Sequence, residues 1–233
     1  MSGFSDSHHF RKMVAGAAMV GAPLFALIAY VVIPKLHTDE GAQLGSIAAH
    51  ADRWMAAALF SALAIVCAMV ATLGLMHMLR ERRPVHAAVG GTLAFAGLAA
   101  WLCQTGVAFM LWQMTKDGVQ PSDVSAFQGL SDSFGSALVL FWMPLLTAAG
   151  YVVLATGMFG AHVVDRWMAV MIGIAPVLLA VAGFAASIPV GLIGSALLLV
   201  GLGATGLMVL RESDADWEHT PDWQGFRPAA GMR

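Results

Sequence analysis

An all-α polytopic membrane protein of six transmembrane helices is the fold class that this chain predicts, and three observations predict it. Six apolar stretches, 13–33, 54–79, 87–114, 134–160, 167–186 and 189–210, contain no Asp, Glu, Lys or Arg. The 233 residues are 59% hydrophobic and 11% charged, with a mean hydropathy of +0.76, whereas charged residues make up about a quarter of a water-soluble domain. The basic residues between the stretches fall mostly on one side. A bilayer core takes about 20 apolar residues per helical crossing, so six crossings with short connections use nearly the whole length. Residues 1–211 are expected to form one transmembrane domain, and residues 212–233 a flexible cytoplasmic tail.

In hydrocarbon every backbone N–H and C=O must be satisfied internally, which leaves helices or closed barrels. Continuous apolar runs, and not short alternating segments, select helices. The first stretch follows Arg11 and Lys12, is longer than a signal-peptide core and lacks a small-residue cleavage site before Pro34, so it reads as a retained span. Pro23, Pro144 and Pro176 lie inside spans 1, 4 and 5; each removes a backbone donor and predicts a local kink. The two longer connections, 34–53 and 115–133, have room for short helices. Pro121-Ser122-Asp123 is a helix start, with Phe127, Leu130 and Phe134 spaced to form an apolar face. In the tail, Trp217, Trp223 and Phe226 are the groups able to bring it back to the interface.

With six spans, Arg11, Lys12, Arg80, Arg82, Arg83, Arg166, Arg211, Arg227 and Arg233 share one side, while Lys35, Arg53 and Lys116 share the other. Nine against three is a positive-inside bias, so both termini are expected in the cytoplasm. The Ala- and Gly-rich spans have the general texture of bacterial inner-membrane proteins and carry no specific motif. The expected site is therefore the bacterial plasma membrane, with membrane lipid as the first partner and a homo-oligomer or larger membrane complex as the other partner class. A net charge of −2 without a basic block disfavours nucleic acid.

The sequence also echoes itself. Asp-Arg-Trp-Met-Ala occurs at Asp52 to Ala56 and again at Asp165 to Ala169, and a Pro-to-Tyr step of seven joins Pro23 to Tyr30 and Pro144 to Tyr151. Thr105-Gly106 and Thr205-Gly206 link spans 3 and 6. Spans 1-2-3 thus correspond to 4-5-6, the pattern of a 3+3 inverted repeat, which in transporters places a site where the halves meet.

The candidate substrate-binding residues are Gln104, the most polar side chain deep in a span, with Trp101 and Thr105 beside it, and Thr147, Tyr30 and Tyr151 around the Pro-to-Tyr steps. Ser61 and Thr72 are expected to bond their own helix, as hydroxyls in helices commonly do. Imidazole is the usual axial ligand of haem, which makes His37 with His50, or His77 with His162, the haem-binding candidates. All four lie near span ends and no span carries two, so no cofactor is expected. Cys67 and Cys103 read as inert packing residues, and Gly90/Ala94, Ala169/Gly173 and Gly191/Ser195 as small-residue pairs that let helices approach. Hydrolase, nucleophile-elbow, phosphate-loop and metal motifs are absent.

The reading is a non-enzymatic membrane protein, transporter-like or accessory, that handles a small apolar molecule or lipid. The alternatives are an intramembrane haem-dependent oxidoreductase or other membrane enzyme using interfacial histidines, and a structural subunit of a membrane assembly.

Overall fold

A computed structural model describes residues 7–217. It is all-helical over the described residues. The elements are α1 (Ser7–Val32), α2 (Glu40–Ala49), α3 (Ala51–Leu79), α4 (Pro84–Met114), α5 (Pro121–Asp132), α6 (Phe134–Ala137), α7 (Leu145–Ala161), α8 (Arg166–Phe184), α9 (Ile188–Leu198), α10 (Ala204–Arg211) and α11 (Asp214–Trp217). A π-helical segment, Leu138–Trp142, joins α6 to α7, and a second, Leu199–Gly203, joins α9 to α10. Six helices, among them the composites Phe134–Ala161 and Ile188–Arg211, are long and apolar enough to cross a membrane.

The helices extend further into polar flanks than hydropathy suggests: α1 begins at Ser7 where an apolar boundary lay at 13, and α4 begins at Pro84, whose missing N–H is not needed in a first helical turn. Both longer connections contain a helix. Asp39 caps α2 by accepting from the Ala42 N–H at 2.7 Å. A capping box between Gln120 and Asp123 starts α5. Pro23 and Pro176 sit inside uninterrupted helices, but Pro144 does not. Before it the hydrogen bonding widens by one residue, with the Met143 N–H donating to the Leu138 carbonyl at 2.9 Å; a π-bulge of this kind absorbs a break in the helical ladder.

The six long helices close into a ring in chain order: α1 packs on α3, α3 on α4, α4 on α7, α7 on α8, α8 on α9, and α9 and α10 return to α1. Glycines set the closest contacts. A Cβ on Gly90 of α4 would lie 2.9 Å from both the Gly150 carbonyl oxygen and the Leu154 nitrogen of α7, and one on Gly206 of α10 would lie 2.7 Å from the Gly16 carbonyl of α1. Gly173 faces Ala155, and the ring of Tyr30 lies against bare Gly191.

The two ends of the ring differ. At the end carrying both described chain ends, Met19, Leu75, Leu79, Leu154, Met158, Ile172, Leu202 and Val209 are fully buried in one core. At the other, α2 and α5 fold over the ring, and Leu44, Ile47, Trp54 and Leu111 form a separate small cluster beneath them.

The segment after Arg211 starts out docked. The buried Lys12 ammonium donates to the Glu212 carbonyl at 2.8 Å and pairs with Asp214, which His9 also approaches at 3.0 Å. α11 then lays Trp217 on His77, with rings stacked 4.6 Å apart and His77 Nε2 donating to the Trp217 carbonyl at 2.9 Å. Trp217 is 7% exposed; Trp223 and Phe226 lie outside the described residues. Burying a large apolar side chain is worth about 1.5–3 kcal/mol, so Trp217→Ala is expected to speed tryptic cleavage after Arg211 about tenfold or more while helicity is unchanged, since cleavage follows local opening.

The Lys12 ammonium first, and the His9 ring after it, hold the Asp214 carboxyl below its ordinary value. A carboxylate lowered in the folded state stabilises docking at pH above its unfolded value, and that contribution is lost as pH falls through the lowered one. Protection of the 212–217 amides, measured against the intrinsic exchange rate at each pH, is therefore expected to fall in acid, and less so in Asp214→Asn, which no longer titrates.

Candidate functional site

Small side chains at helical spacing create an unfilled space inside the ring. On α1, Ala22, Ala26 and Ala29 share a face, and on α3 Ala57, Ser61, Ala64 and Ala68 do the same. The two faces do not close on each other. Between them lies a cavity of about 400 Å³, within the ~300–1,000 Å³ typical of ligand pockets. Trp101, Gln104, Thr105 and Ala108 of α4 complete this wall, and Leu140, Phe141, Pro176, Leu179 and Leu198 make an apolar wall opposite.

The cavity has a built floor and a built roof. At the floor, the buried Tyr151 hydroxyl donates to Thr72 Oγ1 at 3.1 Å, and Thr72 donates to the Ala68 carbonyl at 2.7 Å. At the roof are Gln43 of α2, Leu36, and Phe127 and Leu130 of α5. The Arg53 guanidinium holds the end of α1 by donating to the carbonyls of Val32 and Ile33 at 3.0 and 3.3 Å, and the Trp54 indole N–H donates to the Ala108 carbonyl of α4 at 2.9 Å.

All six residues singled out from the sequence, Tyr30, Trp101, Gln104, Thr105, Thr147 and Tyr151, line this one cavity. Their polar groups do not all face into it. Thr105 donates to the Trp101 carbonyl at 3.0 Å and Tyr151 is committed to Thr72. Thr147 Oγ1 is buried without a partner, pressed on Gly97, and does not bond the carbonyl that Pro144 leaves free. The Tyr30 hydroxyl and the Gln104 amide, by contrast, have no hydrogen-bond partner among the described residues and are not sealed from the cavity.

One expectation is corrected and another is met with an addition. Ser61 does not bond its own helix: its hydroxyl is a third accessible, unpartnered group on the cavity wall. Thr72 does bond its own helix, yet it is also the acceptor for Tyr151. Gln43 was missed altogether, because it lies in a connection and not in a span. Its Oε1 accepts from the His37 N–H at 2.7 Å, leaving Nε2 buried without a partner.

None of the four candidate histidines lines the cavity, and among the described residues no Asp, Glu, Lys or Arg does either. His37 and His50 are at the α2/α5 end, where His50 Nδ1 lies 3.3 Å from the Ser46 carbonyl. At the opposite end both ring nitrogens of His77 are engaged, the second by Arg80 at 3.2 Å, and His162 ends α7 in the left-handed region (φ 54°) with Arg166 donating to its Nε2 at 3.2 Å.

No protein-family model, curated protein or solved structure matches this chain. Function is therefore argued from the chemistry of the cavity itself.

Proposed function

We propose that the chain is a six-span, non-enzymatic plasma-membrane protein, transporter-like or accessory in role, whose cavity binds a small, largely apolar and uncharged molecule. One observation carries this: three accessible neutral polar side chains without a partner among the described residues, Tyr30, Ser61 and Gln104, line an otherwise largely apolar space on whose walls no described residue places a carboxylate, amine or imidazole. Such a space penalises a charged ligand, because an unpaired ion in a low-dielectric site is costly, and among the usual general acids and bases its described walls offer only tyrosine. The concave, mostly apolar form with a few converging polar groups is that of a ligand site.

Two further readings go with it. The cytoplasmic face is the end bearing both described chain ends and the arginines at 80, 82, 83 and 166, so α2 and α5 cover the outer end. The 3+3 repeat is supported by the ring order and by two glycine-lined seams, α4 on α7 and α1 on α10, at which the halves meet.

The test is native mass spectrometry of protein extracted in mild detergent. Wild type is expected to retain a bound small molecule, and Ala64→Phe, which fills the cavity, to lower its occupancy about tenfold or more, the equivalent of about 1.4 kcal/mol. Unchanged helicity and monodisperse elution would show that the variant folds. Equal occupancy in both proteins would place the molecule elsewhere and remove the reading.

A further inference from the structure

Of the described residues that line the cavity, only Phe141 and Gly183 are exposed. They stand on neighbouring elements, Phe141 in the π segment before Pro144 and Gly183 near the end of α8. The ring is loosest there: α7 packs along α8, but the stretch preceding Pro144 makes no extended contact with α8. Trp142, Leu138, Val181 and Phe184, all exposed and apolar, frame the gap. Both lips belong to helices apolar enough to cross a membrane, so the mouth faces hydrocarbon. Below the cavity lie Tyr151 and the core, and above it lie α2, α5 and the Arg53 and Trp54 ties.

The accessible polar groups come from the three long helices of the first half of the chain. Tyr30 is on α1, Ser61 on α3 and Gln104 on α4. Hydroxyl and amide groups both donate and accept, so together they suit a hydroxyl or a carbonyl, and no cation is present to neutralise a phosphate.

We propose that the ligand is a neutral amphiphile of the bilayer, which enters sideways between Phe141 and Gly183, seats an uncharged hydroxyl or carbonyl head against Tyr30, Ser61 and Gln104, and leaves its hydrocarbon chain trailing through the mouth into lipid. This rests on the cavity-binding reading above and adds both the route and the chemical class.

The experiment reconstitutes the full chain in phosphatidylcholine vesicles with one of three photoactivatable probes. These are a long-chain alcohol with a diazirine beside its hydroxyl, a phosphatidic acid with the diazirine at the same depth, and a water-soluble short-chain diol carrying a diazirine. Cross-linked peptides are mapped by mass spectrometry. The alcohol is expected to label cavity-facing positions of α1, α3 and α4 at least tenfold more than the phosphatidic acid does. Gly183→Trp is expected to abolish that labelling while lipid-facing labelling persists, with unchanged helicity and monodisperse elution showing that the variant folds; a Cβ at Gly183 meets only the edge of Trp101, at 3.8 Å, so the first side-chain atom has room. Phe141→Ala, which widens the mouth, is expected to raise cavity labelling severalfold.

Equal cavity labelling by alcohol and phosphatidic acid overturns the neutral-head assignment. Cavity labelling by the diol that Gly183→Trp leaves unchanged overturns the lateral route but leaves cavity binding standing. Absence of cavity labelling by all three probes overturns the proposal and the cavity-binding reading together.

Discussion

Gly150→Ala is expected to lower stability by about 3 kcal/mol or more, the upper end of what overpacking costs. The added methyl would land 2.6 Å from the Gly90 carbonyl oxygen and 2.8 Å from Ala94 Cα. Both are backbone atoms, so no side-chain rotation relieves the clash. α7 has to move away from α4, loosening the contact around Leu154 and drawing Tyr151 from Thr72 at the floor of the cavity. Thermal unfolding in detergent checks this, with Gly106→Ala as the control. A methyl on Gly106 meets nothing within 4 Å, and Ala is favoured over Gly inside a helix by about 1 kcal/mol. Matching midpoints for the two variants would mean that the α4–α7 seam is not as tight as described.

The second large effect is expected from Gln104→Glu, and it depends on pH. The wall around Gln104 presents no cation, and a charged side chain at the centre of a membrane helix costs about 2.5–3.5 kcal/mol on insertion scales. The new carboxyl should therefore remain protonated to a higher pH when folded than when unfolded. For an acid whose folded value is raised, the folded state is not penalised at pH below the unfolded value. The penalty grows as pH rises between the two values and levels off above the folded one. The unfolding midpoint of Gln104→Glu should match wild type in mild acid and fall progressively towards alkaline pH, where the loss approaches about 2–3 kcal/mol. Gln104→Leu should show no such slope. A flat profile for Gln104→Glu would show that the side chain is reached by water or a counter-ion, and that the cavity is not the low-dielectric site described.

Much of the architecture was legible because its causes are local. Span length and position follow from uncharged runs long enough to cross hydrocarbon, and the start of α5 from Pro121 and Asp123, whose capping chemistry reaches only a few residues along the chain. Even the cavity residues were partly legible. A Gln or a Tyr in an apolar helix is conspicuous, and Tyr30, Gln104 and Tyr151 do line one space. The alanine faces on α1 and α3 were also visible as small residues three and four apart, but that spacing serves equally for tight packing, as Gly90 and Ala94 show against Gly150.

Whether two small-residue faces close or leave a void is decided by what holds their helices apart, and those groups come from elsewhere in the chain. Trp54 reaches Ala108, Arg53 reaches Val32, and Gln43 sits in a connection. The direction of each hydroxyl is likewise tertiary: Thr147 faces Gly97, Thr72 serves Tyr151, and Ser61 has no partner among the described residues, although all three are short polar residues on apolar helices. Trp217 docks because His77, 140 positions away in the chain, supplies both a ring to stack on and a donor for its carbonyl. Composition and hydropathy alone determined that six long apolar helices form and, to within several residues, where they lie, since each helix satisfies its own backbone. Only the packed bundle decided which side chains share a space, because that depends on distances between residues that the order of the chain does not contain.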